Sequence, residues 1–383
     1  MKIAILTFSH TSNMNYGAML QSYALYKTIE RIGYNPYIID WKIKGKRRLK
    51  FNDLKYASPF YIIKFLKRII GFVFYPFYFR IALCIGELPF KQFSTFYLKN
   101  KTEKLKKNQL HRLNDSMDAF IVGSDQVWRY KTCPDLKTFF LNFVNEEHLK
   151  IAYSASFGVD RWEAPEKITK TIKQLIKRFT SISVREISGI EICDSIFHIK
   201  TTQVLDPTLL LSEQDYLMIC NNQYLVNYSK TKDYIGFMLL DDKEKKNTFM
   251  QELSSKMKIP FVDIKGEKIK RFKMTFNKFN PIPLWLNYIR NATFIVTDSF
   301  HCAVFCIIFR KKFAVLTNEE RGIRLINLLS KYDLNNLFYK SEKDLLDSAI
   351  WTKVFDYNMI HYKIEEEKQY SIDFLRKSLK IKN

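Results

Sequence analysis

The sequence has little glycine or proline and no long uncharged apolar segment. Its 383 residues include 11 glycines and 10 prolines, with no repeat and no low-complexity tract. No stretch of 18 uncharged apolar residues occurs, although a membrane-spanning helix needs about 20. The apolar run at the N-terminus is also too short for a signal peptide. These absences argue against a disordered chain and an integral membrane protein, and they predict a cytoplasmic globular protein.

Cysteine spacing gives no sign of a metal site or a disulfide framework. The six cysteines are scattered, and none forms a C-x-x-C pair. Cys302 and Cys306 lie four residues apart in an apolar helical pattern, which is typical of buried small hydrophobic residues. A G-x-G-x-x-G motif is also missing, so no dinucleotide cofactor is implied. We therefore predict neither a bound metal nor a cofactor.

Positive charge is concentrated in one segment. The chain carries a net charge of +23, and residues 41–112 hold 18 Lys and Arg against 3 Asp and Glu. Within it, Tyr56 to Phe93 mixes aromatic and aliphatic runs with lysines, and Ile69 to Phe79 is uncharged but contains Pro76. This pattern is typical of a surface that docks on the anionic inner face of a membrane. A buried helical insert over the first domain is the alternative, and no RNA-binding motif accompanies the charge, so no nucleic-acid partner is predicted.

Strand and helix patterns alternate twice along the chain. The pattern predicts a β-α-β opening from Lys2 to Asp40 and a second alternation beginning near Tyr234. It also predicts strands at Ser181 to Val184 and Phe313 to Leu316, and helices at Lys243 to Met257 and Asp298 to Phe309. We therefore expect an α/β protein with two Rossmann-like domains that face a central cleft. The predicted divisions are residues 1–212 with the basic insert at 41–112, residues 213–350, and a helical tail at 351–383 that returns to the first domain. Ligands of such sheets bind at the carboxyl ends of the strands.

Two motifs place small and polar residues directly after apolar strands. Asn15-Tyr16-Gly17-Ala18 precedes a helix, where glycine permits close backbone approach and the helix N-terminus favours an anion. A simple tight turn explains this motif equally well. Gly123-Ser124-Asp125-Gln126-Val127-Trp128 follows a strand, and Trp128 is placed to stack on a sugar ring. The alternative is a helix start capped by Ser124 or Asp125.

Three further segments carry charged or titratable side chains. In Arg321-Gly322-Ile323-Arg324, two arginines open a predicted helix, where cations fit the helix dipole poorly; this favours an anionic ligand, and surface solvation is the alternative. Arg185 ends a strand, where a guanidinium can grip a carboxylate or phosphate; a surface pair with Glu186 is the alternative. His301 is a lone ionisable group at the start of an apolar helix, which suits either acid–base chemistry or a buried structural role. The catalytic candidates are thus His301 and Arg185, and the binding candidates are Asn15, Gly17, Gly123, Ser124, Asp125, Gln126, Asp298, Ser299, Arg321 and Arg324.

Six blocks in order resemble the polysaccharide pyruvyl transferase family. They are Asn15–Leu25, Ile121–Trp128, Tyr153–Gly158, Ser183–Glu186, Leu205–Leu210 and Val296–His301. The resemblance implies a fold similar to the GT-B glycosyltransferase architecture. It also implies transfer of pyruvate from phosphoenolpyruvate to a sugar diol as a ketal, in the synthesis of exopolysaccharide or capsule. The family's functional histidine corresponds to His301 and its donor-gripping arginine to Arg185.

Two positions depart from the family pattern. Some relatives carry arginine two residues before the histidine, where this chain has Ser299, and many have glycine after it, where this chain has Cys302. Arg321 or Arg324 would have to supply the missing positive charge. The resemblance leaves open the acceptor sugar and whether it is lipid-linked. The remaining alternatives are a nucleotide-sugar-dependent glycosyltransferase and a non-enzymatic protein that binds through residues 41–112.

Overall fold

The computed structural model describes residues 1–9, 11–42, 84–222, 233–239, 243–271, 274–317 and 319–380. Its order of elements alternates strands and helices in two runs, as the sequence pattern predicts. No helix within these ranges is long and apolar enough to cross a membrane. The same ranges contain no group of three or more His, Cys, Asp or Glu side chains that could hold a metal ion.

The first half of the chain forms a six-stranded parallel sheet. Its strands lie in the order β2-β1-β3-β4-β5-β6, and every neighbouring pair is parallel. β1, β3 and β4 are buried along their length except for Lys2, because helices cover both faces of the sheet. The strands are β1 Lys2–Leu6, β2 Asn35–Ile38, β3 Ala119–Val122, β4 Leu149–Ala155, β5 Ser181–Val184 and β6 Thr202–Gln203.

The second half forms a five-stranded parallel sheet and a separate hairpin. The sheet order is β13-β12-β11-β7-β8, again with parallel neighbours throughout, and β9 pairs antiparallel with β10. The strands are β7 Ile235–Met238, β8 Phe261–Asp263, β9 Gly266–Arg271, β10 Met274–Phe279, β11 Phe294–Thr297, β12 Phe313–Leu316 and β13 Phe338–Tyr339.

Helices connect the strands in both halves. The α-helices are α1 Tyr16–Arg31, α2 Leu136–Phe139, α3 Glu166–Ile176, α4 Ile187–Ile192, α5 Glu213–Cys220, α6 Lys243–Met257, α7 Ile282–Asn291, α8 Phe300–Ile308, α9 Glu319–Lys331, α10 Glu342–Ser348 and α11 Asn358–Lys380. Short 3₁₀ or π turns cover Thr11–Asn13, Lys107–Asp115, Cys193–Phe197, Pro207–Leu210, Asn335–Leu337 and Ile350–Thr352. Residues 84–97 are also helical and are called the insert helix below.

Local chemistry explains where the helices around the cleft begin and end. The Asn15 side chain accepts a hydrogen bond from the Ala18 amide and caps α1. Gly33, with φ of 94°, follows the end of α1, in the conformation that glycine adopts most easily. Ser299 caps α8 by accepting from the Cys302 amide at 3.5 Å.

Packing across the two halves is centred on Tyr16. Its ring stacks on Trp285 of α7 with centroids 4.8 Å apart, and it contacts Phe90 of the insert helix at 5.1 Å. The Tyr16 hydroxyl donates to the carbonyls of Lys265 and Asn280, both at 2.8 Å. This tyrosine therefore fixes the start of α1 against the second half of the chain.

The C-terminal helix α11 packs on the first sheet. The Leu205 amide donates to Ser371 Oγ at 3.0 Å, and Phe374 contacts the ring of Tyr153 in β4. Thr202 and Tyr370 also share a hydrogen bond at 2.7 Å. The chain thus crosses from the second half back to the strand that leads into the cleft.

Two parts of the basic segment, residues 41–42 and 84–112, fall within the described residues. In the insert helix, Phe90 and Phe93 are fully buried and contact Tyr16 and Tyr23 of α1. This part of the segment packs as a buried insert. Most of the run from Tyr56 to Phe93, including Ile69 to Phe79, lies outside the described residues, so membrane docking stays a prediction.

Candidate active site

The carboxyl ends of both sheets bring polar side chains together. Ser124 follows β3, Arg185 and Glu186 follow β5, and Asp206 follows β6. From the second half of the chain, α8 brings His301 to Asp206. Residues far apart in sequence therefore meet because parallel strands end at the same edge of a sheet.

Arg185 is buried between two carboxylates. Its Nε and Nη2 donate to Glu186 Oε1 at 3.1 and 3.0 Å, and its Nη1 donates to Asp206 Oδ2 at 2.9 Å. Burial by itself would lower the pKa of Arg185, but Glu186 and Asp206 raise it above its ordinary value. The alternative of a surface pair is wrong, because the Arg185 and Glu186 side chains are only 4% and 5% exposed.

Asp206 joins the hydrogen bonds of three other residues. Its Oδ2 accepts from Arg185 and from Ser124 Oγ at 3.0 Å. Its Oδ1 accepts from the Thr208 amide at 3.0 Å and the Thr208 hydroxyl at 2.6 Å. Burial would raise the pKa of Asp206, but the neighbouring His301 and Arg185 and the Thr208 hydroxyl hold it well below its usual value. The carboxylate is therefore charged at neutral pH.

His301 reaches this cluster from the opposite half of the chain. The residue is 7% exposed. Its Nε2 lies 3.7 Å from Asp206 Oδ2, which is an ion-pair distance but too long for a hydrogen bond. Nε2 is buried without a hydrogen-bond partner in the described part of the chain. A buried ring nitrogen of this kind is costly unless something else, such as a substrate, pairs with it.

Gly17 provides the space that His301 occupies. A Cβ on Gly17 would lie 2.7 Å from Cε1 of the imidazole and closer still to Nδ1 and Cγ. The first turn of α1 can approach the histidine this closely only because position 17 has no side chain. Glycine here is needed for close approach, since the residue itself is helical.

A cleft opens beside the cluster. It holds about 370 Å³, including its solvent-facing mouth, and is lined in part by Arg185, Asp206, Phe300 and Arg324. His301 is not among the residues that line this volume, but its Nε2 lies 3.7 Å from Oδ2 of Asp206, which does line it. Burial, followed by the like charge of Arg185, lowers the pKa of Arg324 to about 10. The cleft therefore has two arginines in its walls and a histidine close to one of its lining carboxylates.

Comparison with known protein families gives a match over the part of the chain that carries these motifs. A model of the polysaccharide pyruvyl transferase family matches residues 15–320, which is most of the chain. The chain belongs to the polysaccharide pyruvyl transferase family. A search of the curated proteins finds no match.

Solved structures resemble this pyruvyl transferase family member in fold. UDP-GlcNAc 2-epimerase from Neisseria meningitidis, bound to UDP-GlcNAc, is 9% identical with a TM-score of 0.55, covering 98% of this chain and 100% of that one. UDP-GlcNAc 2-epimerase from Methanocaldococcus jannaschii is 11% identical with a TM-score of 0.52, covering 93% and 94%. The chain thus has the two-domain GT-B fold predicted from its sequence, and identities this low carry no further meaning.

Among the motif residues after β3, Ser124 contacts the cluster directly. Gly123 is buried, and a Cβ at this position would meet the side chains of Leu25 and Thr7. The Asp125 backbone has a φ of 74° and bridges to Ala155, so no helix starts here and the predicted helix cap is wrong. Gln126 accepts from Arg129 Nη1 at 3.1 Å.

The other predicted residues differ in how they contribute. Asn15 and Ser299 act as helix caps in this family member, and Ser299 lies two residues before His301. Asp298 is half-buried between β11 and α8. Arg321 belongs to α9, but its side chain lies outside the described residues. The arginines were expected to open this helix, yet α9 begins at Glu319, which places Arg324 in its second turn.

Trp128 is the clearest error of the sequence analysis. It is fully buried, stacks on Phe140 with centroids 4.6 Å apart, and donates from its indole nitrogen to the Phe139 carbonyl at 3.0 Å. It cannot form the floor of a sugar site. Asp206 and Phe300 were not predicted as site residues, although both lie in the quoted sequence blocks and Asp206 comes soon after the end of β6.

Proposed function

We propose that this chain transfers the pyruvyl group of phosphoenolpyruvate to two hydroxyls of a saccharide as a ketal. The methylene carbon of the donor gains a proton, which leaves an oxocarbenium-like centre at C2. One acceptor hydroxyl adds to C2 and loses its proton. A second hydroxyl then displaces inorganic phosphate and loses its proton, so that donor and diol become ketal and phosphate.

The observation that carries this proposal is the unpartnered Nε2 of His301 beside the Asp206 carboxylate. A general acid must hold a proton close to the reacting carbon, in a site where water does not compete. Asp206, at 3.7 Å, attracts a protonated imidazole without taking its proton into a hydrogen bond. His301 is therefore the residue that delivers the proton to the methylene carbon.

Arg185 binds the donor and orients it for this step. Three of its N–H groups are used by Glu186 and Asp206, which leaves one N–H on each terminal nitrogen for a carboxylate or phosphate of the donor. Because both partner carboxylates are fixed, the guanidinium is held rigidly. Rigid placement of this kind lowers the entropic cost of orienting the donor for reaction.

Donor screening tests the reaction class. The protein is incubated with phosphoenolpyruvate and a panel of saccharides that carry free diols, and phosphate release and the mass of the product are measured. We expect phosphate release that depends on the saccharide. In D₂O the new methyl group should gain one deuterium. Release of a nucleoside diphosphate from nucleotide sugars, with no phosphate from phosphoenolpyruvate, would instead support the glycosyltransferase alternative.

Replacement of His301 tests its role. His301→Ala should lower kcat by about 10²–10⁴ while the affinity for phosphoenolpyruvate, measured by calorimetry, changes little. Arg185→Lys keeps the charge but loses the planar fork, so it should weaken donor binding. Near-normal turnover in His301→Ala would remove the assignment.

A further inference from the structure

The carboxylates around the cleft already have donors. Glu186 Oε1 accepts from Arg185 and from Ser156 Oγ at 2.6 Å. Asp206 accepts from Ser124, Arg185 and Thr208. The two carboxylates therefore neutralise Arg185 within the cluster, and none of these hydrogen bonds involves a second arginine.

Arg324 is that second arginine. It is partly buried in the cleft wall and makes no hydrogen bond or ion pair to any residue that the structure describes. Its guanidinium carbon lies 5.9 Å from the Phe300 ring centroid, and Arg185 approaches the same ring at 4.3 Å. The five N–H donors of Arg324 thus have no acceptor among the described residues.

The electrostatics of this position disfavour a free cation. Burial and then the charge of Arg185 lower the pKa of Arg324, although Asp125 and Glu186 partly offset this. Placing a guanidinium here costs the ligand-free protein free energy. A ligand that supplies the missing hydrogen-bond acceptor would offset that cost.

We propose that Arg324 is the main oxyanion-binding residue of the cleft and takes a phosphate or carboxylate group of the ligand. The inference rests on the proposed function only for the identity of that ligand as phosphoenolpyruvate. Arg185 comes from the first half of the chain and Arg324 from the second, and both lie near the Phe300 ring. An oxyanion between them would be bound by both halves at once.

Ligand-induced stabilisation tests the site without requiring turnover. Thermal unfolding and calorimetry are measured for the full chain and for Arg324→Met, with inorganic phosphate, pyruvate and phosphoenolpyruvate as separate probes. Phosphate and pyruvate distinguish which end of the donor binds. Arg376→Met is the control, because Arg376 is an exposed residue of α11 paired with Asp373 and its loss removes the same charge.

We expect at least one probe to stabilise the wild type and the control, and Arg324→Met to weaken its binding about ten- to hundredfold. Arg324→Lys should fall between them. The empty Arg324→Met protein should unfold at or above the wild-type temperature, since no hydrogen bond or ion pair to the described residues is lost and the methionine side chain can still contact the Phe300 ring. A marked fall would show that the guanidinium has a structural partner and would overturn the proposal.

The outcomes separate this inference from the proposed reaction. Unchanged binding of every probe by Arg324→Met, or no binding by the wild type, overturns the anion site. Phosphate binding that depends on Arg324, with no turnover of phosphoenolpyruvate, supports the site and refutes the reaction. Normal turnover of phosphoenolpyruvate by Arg324→Met leaves the reaction standing and refutes the role of Arg324.

Discussion

Gly17→Ala should separate activity from stability. In the wild type, the imidazole of His301 occupies the space where the Cβ of residue 17 would lie. Cε1 would be 2.7 Å from the added carbon, and Nδ1 and Cγ would be nearer. Since non-bonded carbon atoms rest about 3.5–4.0 Å apart, the ring has to retreat by about 1 Å or more. Nε2 would then leave its position 3.7 Å from Asp206 Oδ2.

Two opposing terms set the effect on stability. Overpacking costs about 1–3 kcal/mol, whereas alanine is favoured over glycine inside a helix by about 1 kcal/mol. The net loss should therefore be small, about 0–2 kcal/mol. A catalytic group displaced by 1 Å can lose about 10²-fold in rate. We expect kcat to fall by about this factor in a protein that still folds.

A double-mutant cycle with His301→Ala identifies the cause. If the clash with the imidazole destabilises Gly17→Ala, removing the ring should restore the unfolding free energy of the double variant to that of His301→Ala or better. Urea unfolding measures the stability terms, and phosphate release measures kcat. Additive losses of stability, or wild-type kcat in Gly17→Ala, would refute the close packing of α1 on the histidine.

Three further substitutions probe the cluster and the packing around it. Asp206→Asn removes the charge that faces His301, so kcat should fall by at least about tenfold and the melting temperature should drop. The control is the neighbouring substitution Thr208→Ala, which should cost only about 1 kcal/mol of stability. Equal kinetics in both variants would contradict a role for the charge. Burial would raise the pKa of Asp215, but its hydrogen bonds to Arg31 and Ser212 lower it to about 2. The pair therefore contributes stability above about pH 4 that is lost as the pH falls towards 2, and Asp215→Asn should flatten the unfolding free energy over that interval; an unchanged acid transition would count against the pair. Tyr16→Phe leaves two backbone carbonyls of the second half without their donor, which should cost about 1–2 kcal/mol in urea unfolding; no loss would mean that ring packing alone holds this contact.

Local pattern was sufficient to predict the layout of the fold. Ser181–Val184, Phe313–Leu316 and Lys243–Met257 have the predicted bounds, because apolar runs of this length and helical periodicity are properties of neighbouring residues. The GT-B architecture follows from two such alternations together with the family resemblance. Boundaries were less accurate near the cleft, where Asp298 was expected to begin the helix that starts at Phe300.

Tertiary contacts explain what the sequence did not reveal at the site. Asp206 is followed by proline and reads as a turn residue, and its partners Ser124 and His301 lie far from it in the chain. Trp128 is a residue type whose aromatic face can stack on a sugar ring, but the ring of Phe140 covers that face. No local signal distinguishes a buried tryptophan from an exposed one at the end of a strand, because burial depends on what packs there from elsewhere.

Stability alone is a poor explanation for the charges in this cleft. A buried ion pair commonly contributes no more than a hydrophobic replacement of similar size, because desolvation offsets most of the attraction. Here Arg185, Glu186 and Asp206 are all buried, and Arg324 is added without a carboxylate contact among the described residues. The helix caps, the stacked aromatic residues and the two parallel sheets do not need any of them. Their joint placement where the strands of both halves end supports the proposal of an anionic ligand, because stability alone would favour apolar residues there.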